Sequence, residues 1–145
     1  MYELKPIGVV HSPFEGGEDV PLGGYEEAVG RIEVFGEYED GLKDIEGLSH
    51  LVVLWIFHES EGYSLLVEPL AYKGGVRGVF AKSHPDRPNP IGLTIVELIQ
   101  REGNMLRVKG VDMADCSPVV DIKPYSPRYR KEDIRRGWVE TDERR

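Results

Sequence analysis

The chain is a succession of short strand-like segments, and almost no part of it has the 3.6-residue apolar repeat of a helix. Turn residues separate these segments, and residues 101–104 form a tight hairpin turn. This pattern predicts an all-β protein, a single β-barrel with short helical turns. The predicted strands are residues 4–11, 28–35, 50–58, 63–71, 76–81, 91–99, 105–111 and 119–122.

Two details refine this prediction. Residues 50–58 are apolar on both faces, which predicts a central strand, and residues 38–48 form a short helical turn with Leu42 and Ile45 facing inward. Residues 131–136 form one weak helical turn, and the charged tail after them is expected to be poorly ordered. The predicted domain is residues 1–128, and residues 129–145 form a C-terminal extension.

Length and composition restrict the class of protein. A chain of 145 residues forms one domain with a sizeable core. Its single cysteine allows no intramolecular disulfide, which favours a reducing, cytoplasmic compartment. The first residues lack the pattern of a signal peptide, and the longest apolar run, 51–57, is too short to span a membrane.

A stiff polar segment lies between two of the predicted strands. Pro85, Pro88 and Pro90 each fix their own φ and hold the preceding residue extended. Arg87 and Asn89 stand between these prolines, and they are therefore presented at little entropic cost. We expect this proline ribbon, residues 84–90, to carry part of a site.

Charge is unevenly distributed along the chain. Residues 1–72 contain 3 basic and 15 acidic residues, whereas residues 73–145 contain 15 basic and 11 acidic residues, giving −12 and +4 within a net charge of −8. The second half therefore presents either a basic face for a polyanion or an ordinary solvated surface.

The segment 110–125 offers three carboxylates around a turn. Asp112, Asp115 and Asp121 could bind a cation, accept a proton or hydrogen-bond a ribose, or they could stabilise their own turns. No metal site is expected, because the spacing is not that of a calcium loop and no Cys/His cluster accompanies it. Asp121 can pair with Lys123 on the same face, and Tyr125 can stack on a base or fill the core.

Other candidates give weaker signals. His50 and His58 are predicted to point to one face of their strand, with His58 near a site rim and His50 in a structural hydrogen bond. Cys116 is a poor candidate nucleophile, because no histidine is near it in sequence. Neither a Rossmann fingerprint nor a P-loop occurs.

Several of these segments together resemble the TsaA/TrmO family, and the match covers most of the chain in order. Its most specific motifs are Arg87-Pro88-Asn89-Pro90-Ile91-Gly92 and Asp121-Ile122-Lys123-Pro124-Tyr125. The matching segments 7–14, 48–59, 78–81 and 111–115 support them. The resemblance implies a non-Rossmann β-barrel and a homodimer with its cofactor near the subunit interface. It also implies an S-adenosylmethionine-dependent methyltransferase acting on N6 of threonylcarbamoyladenosine beside the tRNA anticodon.

Carried over residue by residue, the resemblance implies a cofactor site and leaves the catalytic residue open. The cofactor contacts fall on His58, Glu59, Leu93, Asp112, Met113, Ala114 and Asp115. Asn89 and Tyr125 are the candidate catalytic residues. Contacts to RNA are expected from Lys82, Arg87, Arg128, Arg130 and Lys131, in the basic half.

The chain departs from the family's pattern at two places, and these departures keep two alternatives open. Leu22 and Gly23 stand where the family has Arg and Gln, and Ser83 stands where it has Arg. One alternative is a degenerate member that binds nucleotide or RNA without methylation. The other is a metal-assisted hydrolase that uses Asp112, Asp115 and Asp121.

Overall fold

The structure, a computed structural model, describes residues 1–21, 25–68 and 75–138. The chain divides into two compact units. Unit 1 is Met1–Glu59 with Ile91–Tyr125, and unit 2 is Ser60–Pro90 with Ser126–Arg145. In the described residues no helix is long and apolar enough to cross a membrane.

Unit 1 is built from six antiparallel strands that close into a barrel in the order β1-β2-β7-β6-β3-β8. Closure follows because β1 pairs with β2 on one side and with β8 on the other. The strands are β1 Gly8–His11, β2 Val29–Val34, β3 His50–Ile56, β6 Ile91–Glu102, β7 Met105–Lys109 and β8 Pro118–Pro124.

The core of unit 1 is made by alternate side chains that point into the barrel. On β3 these are Leu51, Val53 and Trp55, and across the ladder they face Val96, Thr94 and Gly92 of β6. Full burial of each large apolar side chain contributes about 1.5–3 kcal/mol. β3 pairs with β6 and β8, so the prediction of a central strand is confirmed.

The connections of unit 1 agree with the expected turn chemistry. Two 3-10 helices, η3 Gly36–Leu42 and η4 Ile45–Gly47, occupy the predicted helical turn and bury Leu42 and Ile45 as expected. The β6–β7 hairpin turns at Gly103 and Asn104, and glycine suits the first position because its φ is +60°. The predicted hairpin is therefore confirmed.

Unit 2 contains a short two-stranded sheet outside the barrel, β4 Leu66–Val67 paired with β5 Arg77–Gly78. The prediction of a strand through 81 is wrong, because the chain turns into the 3-10 helix η5 at Val79–Ala81, closed by the Lys82 amide on the Val79 carbonyl. The 3-10 helix η6 spans Pro127–Tyr129. The predicted helical turn at 131–136 is wrong, since an exposed, highly charged segment has no apolar face to stabilise one.

The all-β class predicted from the sequence is thus confirmed, and the described residues form a closed barrel and a separate two-stranded sheet. The end of the predicted strand 63–71, from residue 69, lies outside the described residues, as does the charged tail from residue 139. The domain boundary after residue 128 stays a prediction.

Candidate functional site

One end of the barrel gathers the predicted cofactor residues of unit 1. β3 ends there and β6 and β8 begin there, because Trp55 is paired with Gly92 on one side and Val119 on the other. His58 and Glu59 follow β3, and Leu93 is the third residue of β6. Residues 112–115 lie shortly before the start of β8. The topology therefore brings together segments that are far apart in sequence.

A hydrogen-bonded chain orients Asp112 at this end. The Trp55 indole Nε1–H donates to Thr94 Oγ1 at 3.0 Å, and the Thr94 hydroxyl donates to Asp112 Oδ1 at 2.5 Å. Trp55 and Thr94 are each only 5% exposed. Because buried polar groups are costly to leave unpaired, this chain fixes the Asp112 carboxylate in one orientation.

Gly92 is required by the close packing of the Trp55 ring. A Cβ atom at position 92 would lie 2.4 Å from the indole. No residue with a side chain fits there unless the Trp55 ring or the backbone moves. Gly92, the last residue of the Arg87–Gly92 motif, therefore makes room for the indole that donates a hydrogen bond to Thr94.

The Asp115 carboxylate joins the 110–117 turn to the segment after β1. Its Oδ1 accepts the Ser12 amide at 3.0 Å, and the Asp115 amide donates to the Phe14 carbonyl at 2.6 Å. Ser12 Oγ also donates to the Met113 carbonyl at 2.7 Å. Asp115 thus has a structural role in this clasp, and its predicted cofactor contact would have to share the carboxylate.

The two residues between these acids are interior parts of the fold. Met113 is fully buried in the core, and Ala114 is 7% exposed. The Ala114 carbonyl accepts the Ser117 hydroxyl at 2.6 Å. Their predicted cofactor contacts would therefore come from the backbone of the turn.

Cys116 is held in the left-handed region, with φ of +69°. Its amide donates to the Val10 carbonyl, which fixes the backbone in this unfavourable conformation. The neighbouring Asp115 carboxylate, followed by burial, raises the pKa of the Cys116 thiol. A thiol with a raised pKa stays protonated at neutral pH, so the low expectation for Cys116 as a nucleophile agrees with its surroundings.

Glu59 connects this end of the barrel to the glycine-rich loop before β2. Its Oε1 accepts the Gly17 amide at 2.6 Å, at the start of the 3-10 helix η1, Gly17–Asp19.

His58 is exposed beyond the end of β3, so the prediction that it shares a strand face with His50 is wrong. Leu93 is 60% exposed on the outer surface of β6. Leu22 and Gly23 lie outside the described residues.

Tyr125 lies at the opposite end of the barrel. Its amide donates to the His50 carbonyl at 3.2 Å, and the two rings meet edge to face with centroids 6.3 Å apart. β3 runs from His50 to Ile56, so about 20 Å separates this pair from the other end. Within one chain the structure does not bring Tyr125 to the Asp112 site. His50 also accepts or donates a bond with Ser49 Oγ at 2.9 Å, in keeping with its predicted structural role.

The proline ribbon belongs to unit 2 and is folded on itself. Arg87 Nη1 donates to the carbonyls of Lys82 and His84, at 2.5 and 3.3 Å. His84 Nδ1 accepts the Asp86 amide at 3.1 Å, and Asp86 Oδ1 accepts the Ser60 hydroxyl at 2.6 Å. Asn89 is exposed. Arg87 therefore has a structural role in this loop beside its predicted contact with RNA.

The two units differ in charge. Unit 1 has 7 basic and 18 acidic residues, and unit 2 has 11 basic and 8 acidic residues, which gives formal charges of −11 and +3. Unit 2 contains all the residues predicted to contact RNA, namely Lys82, Arg87, Arg128, Arg130 and Lys131. The basic surplus seen in the second half of the sequence is therefore a property of one compact unit.

The three acids of the hydrolase alternative do not converge in the described residues. Asp112 is bound to Thr94, Asp115 to Ser12, and Asp121 to Lys123 Nζ at 2.9 Å, the ion pair expected from the sequence. No group of three potential metal ligands occurs in the part of the chain that the structure describes. The arrangement gives this alternative no support.

Sequence reasoning missed the residues that hold the site in place. The sequence pattern places Thr94 and Trp55 in strands and gives no sign that they or Ser12 hold a site in place. The alternation of β3 and β6 places Thr94 on the inner face with Trp55, which marks a hydroxyl that needs a buried partner.

Fold and geometry together define a β-barrel protein with a carboxylate-bearing candidate site at one barrel end and no glycine-rich nucleotide-binding motif in its sequence. The chain belongs to the TrmO_N family, the tRNA-methyltransferase O N-terminal domain, whose model matches residues 9–131.

Relatives with established names agree with this assignment. The chain is 48% identical over 125 residues to an S-adenosyl-L-methionine-binding protein of Archaeoglobus fulgidus, covering 86% of this chain and 89% of that protein. It is 45% identical over 143 residues to a probable S-adenosyl-L-methionine-binding protein of Pyrococcus abyssi, covering 97% and 77%. It is 36% identical over 137 residues to the Escherichia coli tRNA (adenine(37)-N6)-methyltransferase, covering 87% and 58%.

A solved structure supports the same fold. The crystal structure of TrmO from Pseudomonas aeruginosa matches with a TM-score of 0.79 and 31% identity, over 95% of this chain and 62% of that chain. The chain therefore spans less than two thirds of the length of the named methyltransferases, at 58% of the Escherichia coli protein and 62% of the Pseudomonas protein.

Proposed function

We propose that this protein is an S-adenosylmethionine-dependent methyltransferase that methylates N6 of adenosine 37 in tRNA. Its substrate base is threonylcarbamoyladenosine, beside the anticodon. The observation that carries the proposal is the meeting of His58, Glu59, Leu93 and the 112–115 turn at one barrel end, the positions that the family resemblance marks for the cofactor. The name of the Escherichia coli relative supports the reaction.

The residues at the barrel end fit such a cofactor chemically. The oriented Asp112 carboxylate suits a ribose hydroxyl or an ammonium group, and the exposed Leu93 side chain suits an apolar ring face. When bound, S-adenosylmethionine supplies an activated methyl group. No side chain of the protein has to act as a nucleophile, which is consistent with the protonated state of the Cys116 thiol.

The remaining task of the protein is to position the base and accept one proton. N6 must be held in line with the methyl carbon, and such positioning is a large part of the rate gain available to an enzyme. The N6–H of a carbamoylated adenosine is more acidic than that of a plain amine, so a modest base or a water relay is sufficient. Asn89 remains a candidate for holding the base, and Tyr125 is disfavoured because it lies at the other barrel end.

Nucleoside mass spectrometry tests this function. Transfer RNA containing threonylcarbamoyladenosine is incubated with protein and cofactor, and tRNA with plain adenosine at position 37 is the parallel substrate. A gain of one methyl group on the modified nucleoside alone supports the full proposal, and methylation of both supports only the coarser activity. Asp112→Asn is the matched variant, because its side-chain oxygen can still accept the Thr94 hydroxyl while the charge is lost. No methylation by the unaltered protein would overturn the proposal.

A binding module without methyl transfer is the second candidate. The Archaeoglobus and Pyrococcus relatives, at 48% and 45% identity, are named only for cofactor binding. Ser83 also stands where the family pattern has arginine. Titration calorimetry that detects S-adenosylmethionine binding, together with unmodified tRNA in the mass spectrum, would favour this candidate.

We further propose that the protein is a homodimer formed through the outer surface of β6. Ile91, Leu93, Ile95 and Ile99 point outward there and are 37%, 60%, 44% and 41% exposed. An exposed apolar strip of this kind, interrupted here only by Glu97, is typical of a protein interface. Because the strip contains Leu93, an interface here would lie next to the cofactor residues, as the family resemblance implies.

Oligomeric state tests this interface. Analytical ultracentrifugation should give a dimer for the unaltered protein and a monomer for Ile95→Lys. Glu97→Gln changes a charged residue between the apolar ones and is the matched control that should stay dimeric. A monomeric unaltered protein would overturn the proposal.

A further inference from the structure

A cluster of cationic and aromatic side chains in unit 2 has no part in the site described above. Trp138 lies near two cations, with the Arg77 guanidinium carbon 5.6 Å and Lys82 Nζ 4.9 Å from its ring centre. The Trp138 indole Nε1–H donates to the Ala81 carbonyl at 2.8 Å, which fixes the ring against η5. Residues 77–82 and Trp138 therefore form one local structure, which we call the Trp138 cluster.

Arg77 has donors that the described residues do not use. Within the described ranges its Nη1 donates only to the carbonyl of the adjacent Val76, at 3.3 Å. Its Nε is buried and has no hydrogen-bond partner in the described residues. It makes no ion pair with a carboxylate in the described ranges, where its guanidinium lies 5.6 Å from the Trp138 ring centre.

An exposed aromatic residue lies close to these cations in the sequence. Phe80 lies between Arg77 and Lys82 in sequence and is 76% exposed, the largest exposed fraction of any large apolar side chain described beyond the first two residues. Its neighbour Ala81 is the residue to which Trp138 is bonded, so the backbone that carries Phe80 is fixed. Exposing a phenyl ring to this extent is costly for the free protein and is expected where a ligand covers it.

We propose that the Trp138 cluster binds an unpaired nucleotide of RNA. Phe80 stacks on the base, and Arg77 and Lys82 contact the flanking phosphates. Exposed aromatic rings combined with cations are the means by which proteins hold single strands, because every base has a flat face and every linkage has a negative charge. Here Arg77 and Lys82 flank Phe80 in sequence. The positive charge of unit 2 favours a polyanion over an acidic protein surface or an uncharged ligand.

This inference deepens the proposed function, because it names a second contact surface for the same RNA substrate. It does not depend on methyl transfer or on the cofactor residues of unit 1. Its test therefore uses RNA binding alone, measured by fluorescence anisotropy with a labelled anticodon stem-loop and a fully paired duplex of the same length, without cofactor.

Three variants at position 80 separate stacking from general apolar contact. Phe80→Ala and Phe80→Leu should each weaken binding of the stem-loop, Phe80→Ala by roughly 5- to 150-fold, and Phe80→Trp should keep it. The duplex should bind weakly and be insensitive to all three. Tyr2→Ala removes a fully exposed aromatic ring in unit 1 and is the matched control that should have no effect. Because Phe80 is exposed, none of these changes should lower the melting temperature.

A cation variant tests the phosphate contact. Arg77→Gln should reduce the salt slope of log affinity by about 1, whereas Phe80→Ala should leave that slope unchanged. Arg107→Gln on the exposed surface of β7 is its control.

Equal binding by Phe80→Ala and unaltered protein would overturn the proposal, and so would equal binding by Phe80→Leu. A changed oligomeric state in Phe80→Ala with unchanged RNA affinity would also overturn it and assign the patch to a protein contact. Failure of methylation with these RNA effects intact would count against the proposed function only.

Discussion

Thr94 occupies the position on which the orientation of Asp112 depends. Its single hydroxyl accepts from the Trp55 indole and donates to the Asp112 carboxylate, so it uses both of its hydrogen-bonding functions inside the protein. Trp55 and Thr94 are buried, and water cannot easily replace either bond. Thr94 is thus a positioning residue for whatever ligand Asp112 contacts.

Replacing Thr94 by valine should separate this role from simple packing. Thr94→Val keeps the shape but leaves the Trp55 N–H and Asp112 Oδ1 unpaired, so it should cost about 1–3 kcal/mol of stability. It should also weaken S-adenosylmethionine binding by about tenfold, since a charge-assisted bond depends on the carboxylate orientation. Thr94→Ser keeps the hydroxyl and should bind nearly as the unaltered protein does. Titration calorimetry measures the affinity of each variant, and unfolding curves measure its stability. Normal affinity in a destabilised Thr94→Val would show that Thr94 has a purely structural role.

The elements of this protein show which parts of a structure a sequence pattern can predict. The alternation in 28–35 predicted β2, because a period of two reports which face is buried. The two apolar faces of 50–58 and the strand-like run 91–99 predicted β3 and β6. The segment 76–81 is also a strand-like run, yet in the described residues only Arg77–Gly78 is paired, with the two-residue strand β4, and the chain turns into η5 at Val79. Pairing depends on the partner as well as on the strand itself, and a single segment does not contain that information.

The proline ribbon shows a comparable limit for the site. The sequence predicted a stiff segment that presents Arg87 to a ligand. Arg87 nevertheless donates to two carbonyls of its own loop. Backbone acceptors exist at every residue and carry no mark in the sequence, so a pattern cannot tell whether a guanidinium will bind a ligand or its own loop.

His84 should make the ribbon sensitive to pH. Burial lowers the pKa of His84, the Asp86 carboxylate opposes this effect, and Lys82 and Arg87 add to it. Neutral Nδ1 also accepts the Asp86 amide. Because the pKa is lower in the folded than in the unfolded chain, the unfolded chain binds more protons. The stabilisation is therefore complete above about pH 6.5 and is lost as the pH falls through the pKa of the folded state.

The variant His84→Asn tests this pH dependence, because its side-chain oxygen can accept the Asp86 amide without titrating. Nuclear magnetic resonance titration should place the His84 pKa below 6.5. Denaturant midpoints at pH 7.5 and 5.5 should fall more for the unaltered protein than for His84→Asn, with the other histidines as a common background. An equal fall in both proteins would show that His84 does not contribute.

At the scale of the whole molecule, the main feature is the separation of charge between the units. The net charge of −8 alone would exclude a polyanion as partner, but unit 2 carries +3 and unit 1 carries −11. Acidic unit 1 holds the residues proposed for the zwitterionic cofactor, and unit 2 holds every cation proposed for RNA. The two ligands are therefore expected to respond differently to salt and to charge reversal.

Salt dependence tests this division between the units. With roughly three to five phosphate contacts, log affinity for a single-stranded loop RNA should fall against log salt with a slope of about −2 to −4. Charge reversal at Arg128 and Arg130, both in exposed parts of unit 2, should weaken RNA binding and reduce this slope. S-adenosylmethionine binding should not change, because that ligand is small and has no net polyanionic charge.

Lys5→Glu and Lys43→Glu in unit 1 give a control with the same change in net charge. If the control weakens RNA binding as much as the unit 2 variant does, the net charge of the whole protein governs binding, and the separation between the units has no functional consequence.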